Sequence, residues 1–398
     1  MLLLLRQHNI ITQKDHILLS KIYGDIMSKK IFSIILAVSL LVIIGIAPLF
    51  TLTESKDVVK IGVIIPLTGK LSYIGEAEMH GIELAIETVR VETGLDIEVI
   101  FEDSQGQPDQ AVTAYHKLKT IDNIKYIIVA QSSSVFAVAP LAEEDKTVLL
   151  TISTLSPKIS ELGDYIFRHN LYPADDAEFL AESICTKLGH KKIGYIMEDT
   201  ESAKTYFPVF KKKFKELGCS ISIQEIYNTE TMDFRTLLLK IKDSGVETVF
   251  AYSHAIETAT MMKQSAEIGL ELQWTSMFIL EDQIVIDTAE KFAEGAIFSS
   301  MYNVDSKKTI VREFRDQYIL KFGEKPITFS ALAYDDILIY ANAFSRCPDL
   351  TDTECVKDSM YQLEIEGVTG SIWFDEKGDS HKSLILKTIK DGEFVALE

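Results

Sequence analysis

The chain has 398 residues, of which 47% are hydrophobic and 25% charged, and its formal net charge is −19. This composition is typical of a globular protein that forms one large or two medium domains. The excess of acidic side chains argues against a protein that binds nucleic acid or anionic membrane surfaces, because like charges repel.

The amino-terminal part of the chain differs from the rest. Residues 1–26 are interpreted either as an over-extended start or as a short tail, because Met27 directly precedes a basic segment that looks like a true start. Within 27–52, two lysines precede the uncharged stretch 31–50, which is about as long as a bilayer core is thick. We therefore predict a signal peptide or a membrane anchor, with the remainder of the chain outside the cytoplasm.

From residue 58 onwards, strand and helix patterns alternate. Apolar β-branched runs indicate strands, and apolar residues spaced three and four apart indicate helices. The predicted elements of this first series are the strand 58–66, the helix 76–90, the strand 97–103, the helix 108–121, and the strands 126–130 and 148–152. Strands that are separated by single helices imply a parallel sheet with right-handed crossovers.

Hydroxyl side chains follow two neighbouring strands of this series. They are Ser132, Ser133, Ser134, Ser153, Thr154 and Ser156. The carboxyl edge of an open parallel sheet is where ligands bind, and a helix that begins there presents free N–H groups to a carboxylate or another anion. Serine and threonine also cap helices and form turns without any ligand. Two clusters on adjacent strands favour a small polar binding site.

A second series of strands and helices follows. Its predicted strands are 190–199, 220–227, 246–253 and 272–279, and its predicted helices are 206–218, 233–245 and 256–270. Two such series exceed what one sheet holds comfortably, so we predict two similar α/β lobes, each a mainly parallel sheet flanked by helices. A short strand 296–302, helices 309–323 and 327–347, and antiparallel strands in the tail complete the pattern.

The four cysteines fit an export route that permits disulfides. Cys347 and Cys355 are separated by a turn-rich segment, and we predict that they form a bridge. Cys185 and Cys219 either form a second bridge or remain two buried thiols. No cysteine or histidine spacing indicates a zinc site.

The sequence lacks the motifs of common catalytic sites. GxxxxGK[ST], GxGxxG, GxSxG and HExxH are all absent. His254 lies just after a predicted strand but has no evident nucleophile as a partner. Acidic residues such as Glu198 follow another strand and are as readily explained by a solvated capping loop. We therefore predict a binding protein without a cofactor, and a ligand sensor or an enzyme on the same scaffold are the alternatives.

The order of motifs along the chain resembles the branched-chain amino-acid-binding family of ABC-transporter solute-binding proteins. The resemblance covers nearly everything from residue 60 to residue 395. The motifs are KIGVIIPLTG with YIGEAEMHGIELAIE, EDSQGQPDQAV, SSS followed by STLSPKIS, DFRTLLLKIKDSGVETVF, KFGEKPITFSALAYDD and GVTGSIWFDEKGD. Each is weak alone, and together in this order they are specific.

This resemblance implies a type I periplasmic-binding-protein fold, in which two lobes joined by three crossovers close on a ligand. We expect the crossovers near His169, Met301 and Gly367. The first lobe then comprises 58–168 and 302–366, and the second comprises 169–301 and 367–398.

The resemblance also implies which residues of the first lobe contact the ligand. Ser132 and Ser133 match the serine turn that holds the ligand carboxylate. At the next strand end the family usually has a threonine that holds both ends of an amino acid, and here Leu155 stands at that position, so we expect the backbone around Thr154 to help hold the head group. Leu155 replaces a hydroxyl that the family usually has, whereas Tyr73 is expected to line the wall.

In the second lobe, the match to the family is less complete. Ala203 replaces a family aromatic residue, and Phe278 stands where the acidic partner of the ligand ammonium is expected. Glu281 restores that charge if the loop is shifted. The remaining expected contacts are Tyr252, Ser253 and His254.

The resulting prediction is a monomeric extracytoplasmic protein that captures an amino-acid-like, carboxylate or amide ligand between its lobes. Its expected partner is the membrane permease of an ABC transporter, and no nucleic acid is involved. A ligand-sensing receptor domain that is anchored in the membrane is the alternative.

Overall fold

The computed structural model describes residues 58–397, which form one compact unit. The predicted signal peptide or anchor, 27–52, and the segment 1–26 lie outside these described residues. No helix among the described residues is long and apolar enough to cross a membrane.

Five strands form a parallel sheet, here called sheet A. They are β1 (Val59–Ile65), β2 (Ile97–Asp103), β3 (Tyr126–Ala130), β4 (Val148–Ile152) and β5 (Ile166–Arg168). Their order in the sheet is β2-β1-β3-β4-β5, and every pair is parallel. All residues of β3 and β4 are buried, because helices cover both faces of a parallel sheet.

The helices that connect these strands begin where the sequence changes from period two to period 3.6. They are α1 (Ser72–Thr93), α2 (Pro108–Thr120) and α3 (Ser132–Glu144). Helix α2 has proline at its first position, where the missing N–H is not needed. Helix α1 begins earlier than residue 76, where we predicted it to begin, because burial of Ile74 outweighs the turn preference of the neighbouring glycine.

A second series of strands and helices alternates in the same way. Its strands are β6 (Lys192–Glu198), β7 (Ser220–Tyr227), β8 (Thr248–Tyr252), β9 (Gln273–Ser276) and β10 (Ile297–Ser300). Its helices are α4 (Pro173–Glu182), α5 (Glu201–Glu216), α6 (Arg235–Ser244), α7 (Ala255–Glu267) and α8 (Gln283–Ala289). The chain leaves sheet A after β5 to begin this series.

The remainder of the chain adds three helices, a hairpin and two further strands. They are α9 (Thr309–Phe322), α10 (Thr328–Ser345), α11 (Thr353–Tyr361), β11 (Glu364–Gly367), β12 (Gly370–Trp373), β13 (Ile385–Lys390) and β14 (Glu393–Ala396). Strands β13 and β14 join the second series in a seven-stranded sheet, here called sheet B, with the order β14-β13-β10-β9-β8-β6-β7. Strand β13 is antiparallel to both of its neighbours.

Helix α10 returns to the first series and packs closely on α1. A Cβ atom on Gly81 would collide with the carbonyl of Ser330, so only glycine permits this approach. The prediction of an α/β fold with two mainly parallel, helix-flanked sheets is confirmed.

Both pairs of cysteines are bridged. The predicted disulfide Cys347–Cys355 is confirmed. Cys185 and Cys219, for which the sequence allowed either a bridge or two thiols, also form a disulfide. No free cysteine is found among the described residues.

Candidate functional site

The carboxyl edges of the two sheets approach one another. Lys70, in the turn between β1 and α1, forms an ion pair with Glu257 in the first turn of α7. Tyr73, at the start of α1, packs against the hydrophobic cores of both sheets. Residues that follow the strands of sheet A therefore face residues that follow the strands of sheet B.

The first serine turn follows β3 and opens helix α3. Gln131 adopts a positive φ of 71°, which turns the chain sharply before Ser132. The Ser132 hydroxyl accepts a hydrogen bond of 3.1 Å from the backbone N–H of Leu155. Ser133 is exposed, and no side chain caps the helix. The uncapped N–H groups of α3 can therefore donate hydrogen bonds to a carboxylate.

The second hydroxyl turn follows β4 and is directed largely into the protein. Ser153, with a φ of 53°, donates a hydrogen bond to the buried carboxyl of Glu78. Thr154 is fully buried, with its Oγ1 atom 3.2 Å from that of Thr151. Ser156 is also buried. Its carbonyl accepts a hydrogen bond from an arginine on β5, so the hydroxyls of this turn mainly fix its shape.

Glu78 is an acidic side chain in contact with the second hydroxyl turn, and sequence reasoning did not identify it. It lies on α1 with no exposed surface, and its Oε2 atom has no hydrogen-bond partner within residues 58–397. Burial raises the pKa of the Glu78 carboxyl to about 8, although the hydrogen bond from Ser153 opposes this shift. At neutral pH the carboxyl is therefore mostly protonated.

Sheet B contributes a polar wall made of Glu198, Tyr227, Ser253, His254 and Glu257. The hydroxyls of Tyr227 and Ser253 are hydrogen-bonded to each other. His254 Nε2 lies 3.6 Å from Glu198 Oε2. Glu257 is fully buried; its Oε1 atom binds Lys70, whereas its Oε2 atom has no partner among the described residues. We call this set the sheet B wall.

The pKa values of Glu198 and His254 in the sheet B wall are shifted from their ordinary values. Burial and, to a smaller extent, the nearby Glu257 carboxylate together raise the pKa of the Glu198 carboxyl to about 7, with Lys70 opposing them. Burial lowers the pKa of the His254 imidazole, so this side chain is neutral at pH 7. The Glu198 carboxyl is therefore about half protonated at pH 7.

Three of the predicted contacts belong to packed regions. The ring of Tyr252 lies 4.8 Å from that of Tyr206 between centroids, and Phe278 lies 5.6 Å from Phe329. Ala203 is fully buried and donates its backbone N–H to the capping hydroxyl of Thr200. These positions shape the site through packing, and their contact with a ligand stays a prediction.

The carboxylate of Glu281 is already paired with other side chains of the protein. It forms a buried ion pair with Lys387, and its Oε2 atom accepts hydrogen bonds from Ser300 at 2.9 Å and Thr328 at 2.7 Å. Both carboxylate oxygens have partners, so binding a ligand ammonium would require Lys387 to move. On the sheet B wall, by contrast, Glu257 keeps one oxygen, Oε2, without a partner among the described residues.

Sequence reasoning noted Glu198 as a loop carboxylate but missed Glu257 and Lys70. Glu257 reads as an ordinary acidic residue in the first turn of a helix. Its pairing with Lys70 joins positions that are 187 residues apart, and no local pattern reveals such a contact.

A further cavity of about 670 Å³ opens beside Tyr73, between α1, α8 and α9. Burial raises the pKa of Asp282, which lines it, to about 6. Within residues 58–397, no group of three His, Cys, Asp or Glu side chains is arranged to hold a metal ion.

Comparison with known proteins gives consistent matches over most of the chain. The profile of the family described as periplasmic binding protein matches residues 58–393. A leucine-, isoleucine-, valine-, threonine- and alanine-binding protein of Pseudomonas aeruginosa is 24% identical over 346 residues, or 84% of this chain and 90% of that protein.

Solved structures show the same fold. A leucine-binding protein from Thermotoga maritima has a TM-score of 0.80 and 23% identity, covering 86% of this chain and 98% of that one. An ABC-transporter solute-binding protein from Rhodopseudomonas palustris BisB5, in complex with 3,4-dihydroxybenzoic acid, has a TM-score of 0.79 and 24% identity, covering 86% and 96%.

Proposed function

Since the chain belongs to the periplasmic binding protein family, whose members bind substrates and are not enzymes, we propose that it is the solute-binding protein of an ABC transporter. It captures a small amino-acid-like, carboxylate or amide ligand in a cleft between two lobes and delivers it to a membrane permease. The ligands of the relatives, which are aliphatic amino acids and a benzoate, support this range.

The observation that carries the proposal is the opposition of two polar walls at the carboxyl edges of the sheets. The contact between Lys70 and Glu257 bridges them. On the sheet A side, Ser132, Ser133 and the uncapped N-terminus of α3 offer hydroxyls and N–H groups to a carboxylate. On the opposite side, the sheet B wall offers acceptors for hydrogen-bond donors.

We assign the lobes as 58–168 with 302–366, and 169–301 with 367–398. The chain paths after β5, after β10 and after β12 support three crossovers between them. Closure of the lobes around the solute, by hinge motion at the crossovers, is the mechanism of capture.

We place the protein outside the cytoplasm, as a monomer that docks on its permease when closed. The family and the basic, then uncharged, segment within 27–52 support export, and that segment serves as a signal peptide or an anchor. The alternative of an anchored receptor receives no support from the relatives described above.

Thermal unfolding of the full chain against a ligand panel tests the proposal. The panel contains aliphatic amino acids, benzoates, short carboxylic acids and amides. A true ligand at a hundred times its Kd should stabilise the protein by about 2.7 kcal/mol, which a melting curve resolves. If the whole panel leaves the melting temperature unchanged, the proposal of a small carboxylate or amide solute is wrong.

A further inference from the structure

We propose that His381 is the pH-sensitive tie of a two-stranded hinge between the lobes, and that its protonation controls how readily the lobes open. This hinge, which we call the hinge ribbon, consists of residues 168–175 and 375–382. The inference rests on the proposed function, because it concerns the opening and closure by which the solute is captured.

The two strands of the hinge ribbon are joined by backbone and side-chain hydrogen bonds. The backbone N–H of Arg168 donates to the carbonyl of Gly378 at 2.7 Å, and the N–H of Ser380 donates to the carbonyl of Arg168 at 3.0 Å. The Ser380 hydroxyl donates to the carbonyl of Asn170 at 3.2 Å. The segment that follows β5 and the segment that leads from β12 to β13 therefore run side by side as one unit.

The hinge ribbon lies at the boundary that we assign between the lobes. Burial lowers the pKa of the His169 imidazole, so this ring is neutral. Lys382 donates to its Nε2 atom at 2.7 Å, so the single proton of the ring is on Nδ1. That N–H donates to Asp336 Oδ1 at 2.7 Å, on helix α10 of the first lobe. These buried bonds join the ribbon to the first lobe, so opening of the lobes has to bend or twist the ribbon.

His381 ties the two strands of the ribbon through both of its ring nitrogens. Its side chain is 36% exposed. Nδ1 lies 2.8 Å from Asp175 Oδ2, in the first turn of α4, and Nε2 lies 3.5 Å from Asp375 Oδ2. A neutral imidazole has one N–H, so one of the two nitrogens would face a carboxylate with its lone pair. The imidazolium, by contrast, attracts both carboxylates.

Two aromatic rings also favour the protonated form of His381. The Trp373 ring is stacked on the imidazole with the centroids 5.5 Å apart, and the centroid of the Tyr172 ring lies 5.6 Å away. A cation within about 6 Å of an aromatic centroid is attracted by the face of the ring. The ring of His381 is thus surrounded by groups that stabilise a positive charge.

The balance of these surroundings sets the sign of the pH effect. Burial lowers the pKa of His381, but the hydrogen bonds and charges of Asp175 and Asp375 outweigh burial, so the pKa is raised above its ordinary value of 6.5. The tie is therefore complete at acidic pH and is lost as the pH rises through this raised pKa. The other charged or titratable groups of the ribbon near the ring are Tyr172, the Arg168–Asp379 pair and Lys382.

The remaining side-chain ties of the ribbon survive the same change of pH. Arg168 keeps its charge at any working pH, so its bond to Asp379 stays. Burial lowers the pKa of Lys382 to about 8, but a neutral amine still has two N–H groups, which suffice for its two hydrogen bonds. Among the ties described here, His381 is therefore the one that a rise in pH breaks.

Hydrogen–deuterium exchange of the full chain at pH 5.5 and pH 8.5 tests the tie without any solute. The exchange of 376–382 is corrected for the intrinsic effect of pH, and 126–130 in sheet A reports on global unfolding. We expect protection of 376–382 to be lower at pH 8.5 by about threefold or more, the size that partly exposed ion pairs provide. His381→Gln should have the lower protection at both pH values. His381→Arg should have the higher protection at both, because a guanidinium stays charged and can bind two carboxylates.

Substitution of the two carboxylates tests the double contact. Asp175→Asn and Asp375→Asn should each reduce protection of the ribbon at pH 5.5, whereas the exposed neighbour change Glu376→Gln should not. Unchanged protection in Asp375→Asn would show that only Nδ1 carries a proton and would overturn the proposal. An equal pH dependence in His381→Gln and in the unsubstituted chain would overturn it as well.

Distances between spin labels on the two lobes test the link to opening. The labels are attached at exposed positions through Gln110→Cys on α2 and Glu230→Cys after β7. We expect longer or broader distances at pH 8.5 than at pH 5.5, and no such change when His381→Arg is added. Equal distances in all variants at both pH values would reject control of the lobes by His381. If no member of the solute panel binds, the proposed function is wrong, but both of these measurements still decide on the tie because neither uses a solute.

Discussion

Arg168, at the end of β5, donates a hydrogen bond of 2.8 Å from Nε to Asp379 Oδ1, and both side chains are almost completely buried. Asp379 belongs to the segment between β12 and β13, which also pairs with Arg168 through a backbone bridge. The pair therefore links two segments that run between the sheets, the one that follows β5 and the one that leads from β12 to β13.

We expect Asp379→Ala to lower the free energy of unfolding by about 3–5 kcal/mol, because it leaves the Arg168 guanidinium buried without a counter-charge. Urea unfolding measures this loss. The control is Lys240→Ala, which breaks the more exposed pair with Glu225 and should cost less than about 1 kcal/mol. Equal losses in both variants would show that the pair does not hold the crossovers together.

Two adjacent serines of the first turn should differ in their effect on ligand affinity. Ser133 is exposed at the start of α3, whereas Ser134 is buried behind it. We expect Ser133→Ala to weaken binding of the ligand found in the panel by about tenfold or more, since a hydrogen bond to a charged group is lost. Ser134→Ala should leave the Kd unchanged. Identical Kd values for both variants and the unsubstituted chain would remove Ser133 from the site.

Substitution of Glu281 distinguishes a structural role from a ligand contact. Glu281→Gln leaves Lys387 charged and buried without its partner, so we expect a loss of stability of about 3–5 kcal/mol. Because both oxygens of this carboxylate already have partners, the Kd should change less than about twofold. A large loss of affinity with unchanged stability would assign Glu281 to the ligand instead.

The buried carboxyl of Glu78 should make stability depend on pH. Its pKa is raised from 4.5 to about 8, so between these values the folded protein binds a proton that the unfolded chain does not. This contribution is present at low pH and is lost as the pH rises from about 5 to about 8. Glu78→Gln cannot titrate, so its stability relative to the unsubstituted chain should increase over that range, on the order of a few kcal/mol.

Urea unfolding at pH 5 and pH 8 measures this effect. Glu76→Gln, an exposed change on the same helix, is the control and should show no such dependence. A stability difference for Glu78→Gln that is equal at both pH values would mean that Glu78 is ionised in the folded protein.

The two disulfides should contribute unequally to stability. Cys185–Cys219 closes a loop of 34 residues and Cys347–Cys355 one of 8. Because a longer loop restricts the unfolded chain more, replacing the first pair by serines should cost about 4 kcal/mol and the second about 2.5 kcal/mol. Calorimetry of the two double variants gives the ranking, and a larger loss from Cys347–Cys355 would contradict it.

The strands could be predicted well both where apolar residues form a continuous run and where they alternate with polar ones. Strands β2, β3, β4 and β7 were predicted with the bounds that the structure has; β3 and β4 are buried throughout, whereas β7 alternates between more and less exposed positions. The short helices α8 and α11 were missed, since each is stabilised by packing on neighbours more than by its own sequence.

The candidate site was only partly predictable. The positions of the hydroxyl turns follow from strand ends, so Ser132 and Ser153 were found. Which hydroxyl is free depends on partners that are distant in sequence, such as Glu78 for Ser153. The contact between Lys70 and Glu257 depends in the same way on how the two sheets approach one another, which no local pattern encodes.

The sequence positions of the strands also determine an order of assembly. All strands of sheet A are consecutive in the chain, whereas β10 and β13 of sheet B are separated by α9, α10, α11 and the β11–β12 hairpin. Sheet A can therefore form from neighbouring segments, whereas sheet B is complete only when β13, near the end of the chain, has joined β10. The buried ion pair between Glu281 and Lys387, which lies on β13, should accordingly be among the last contacts to form.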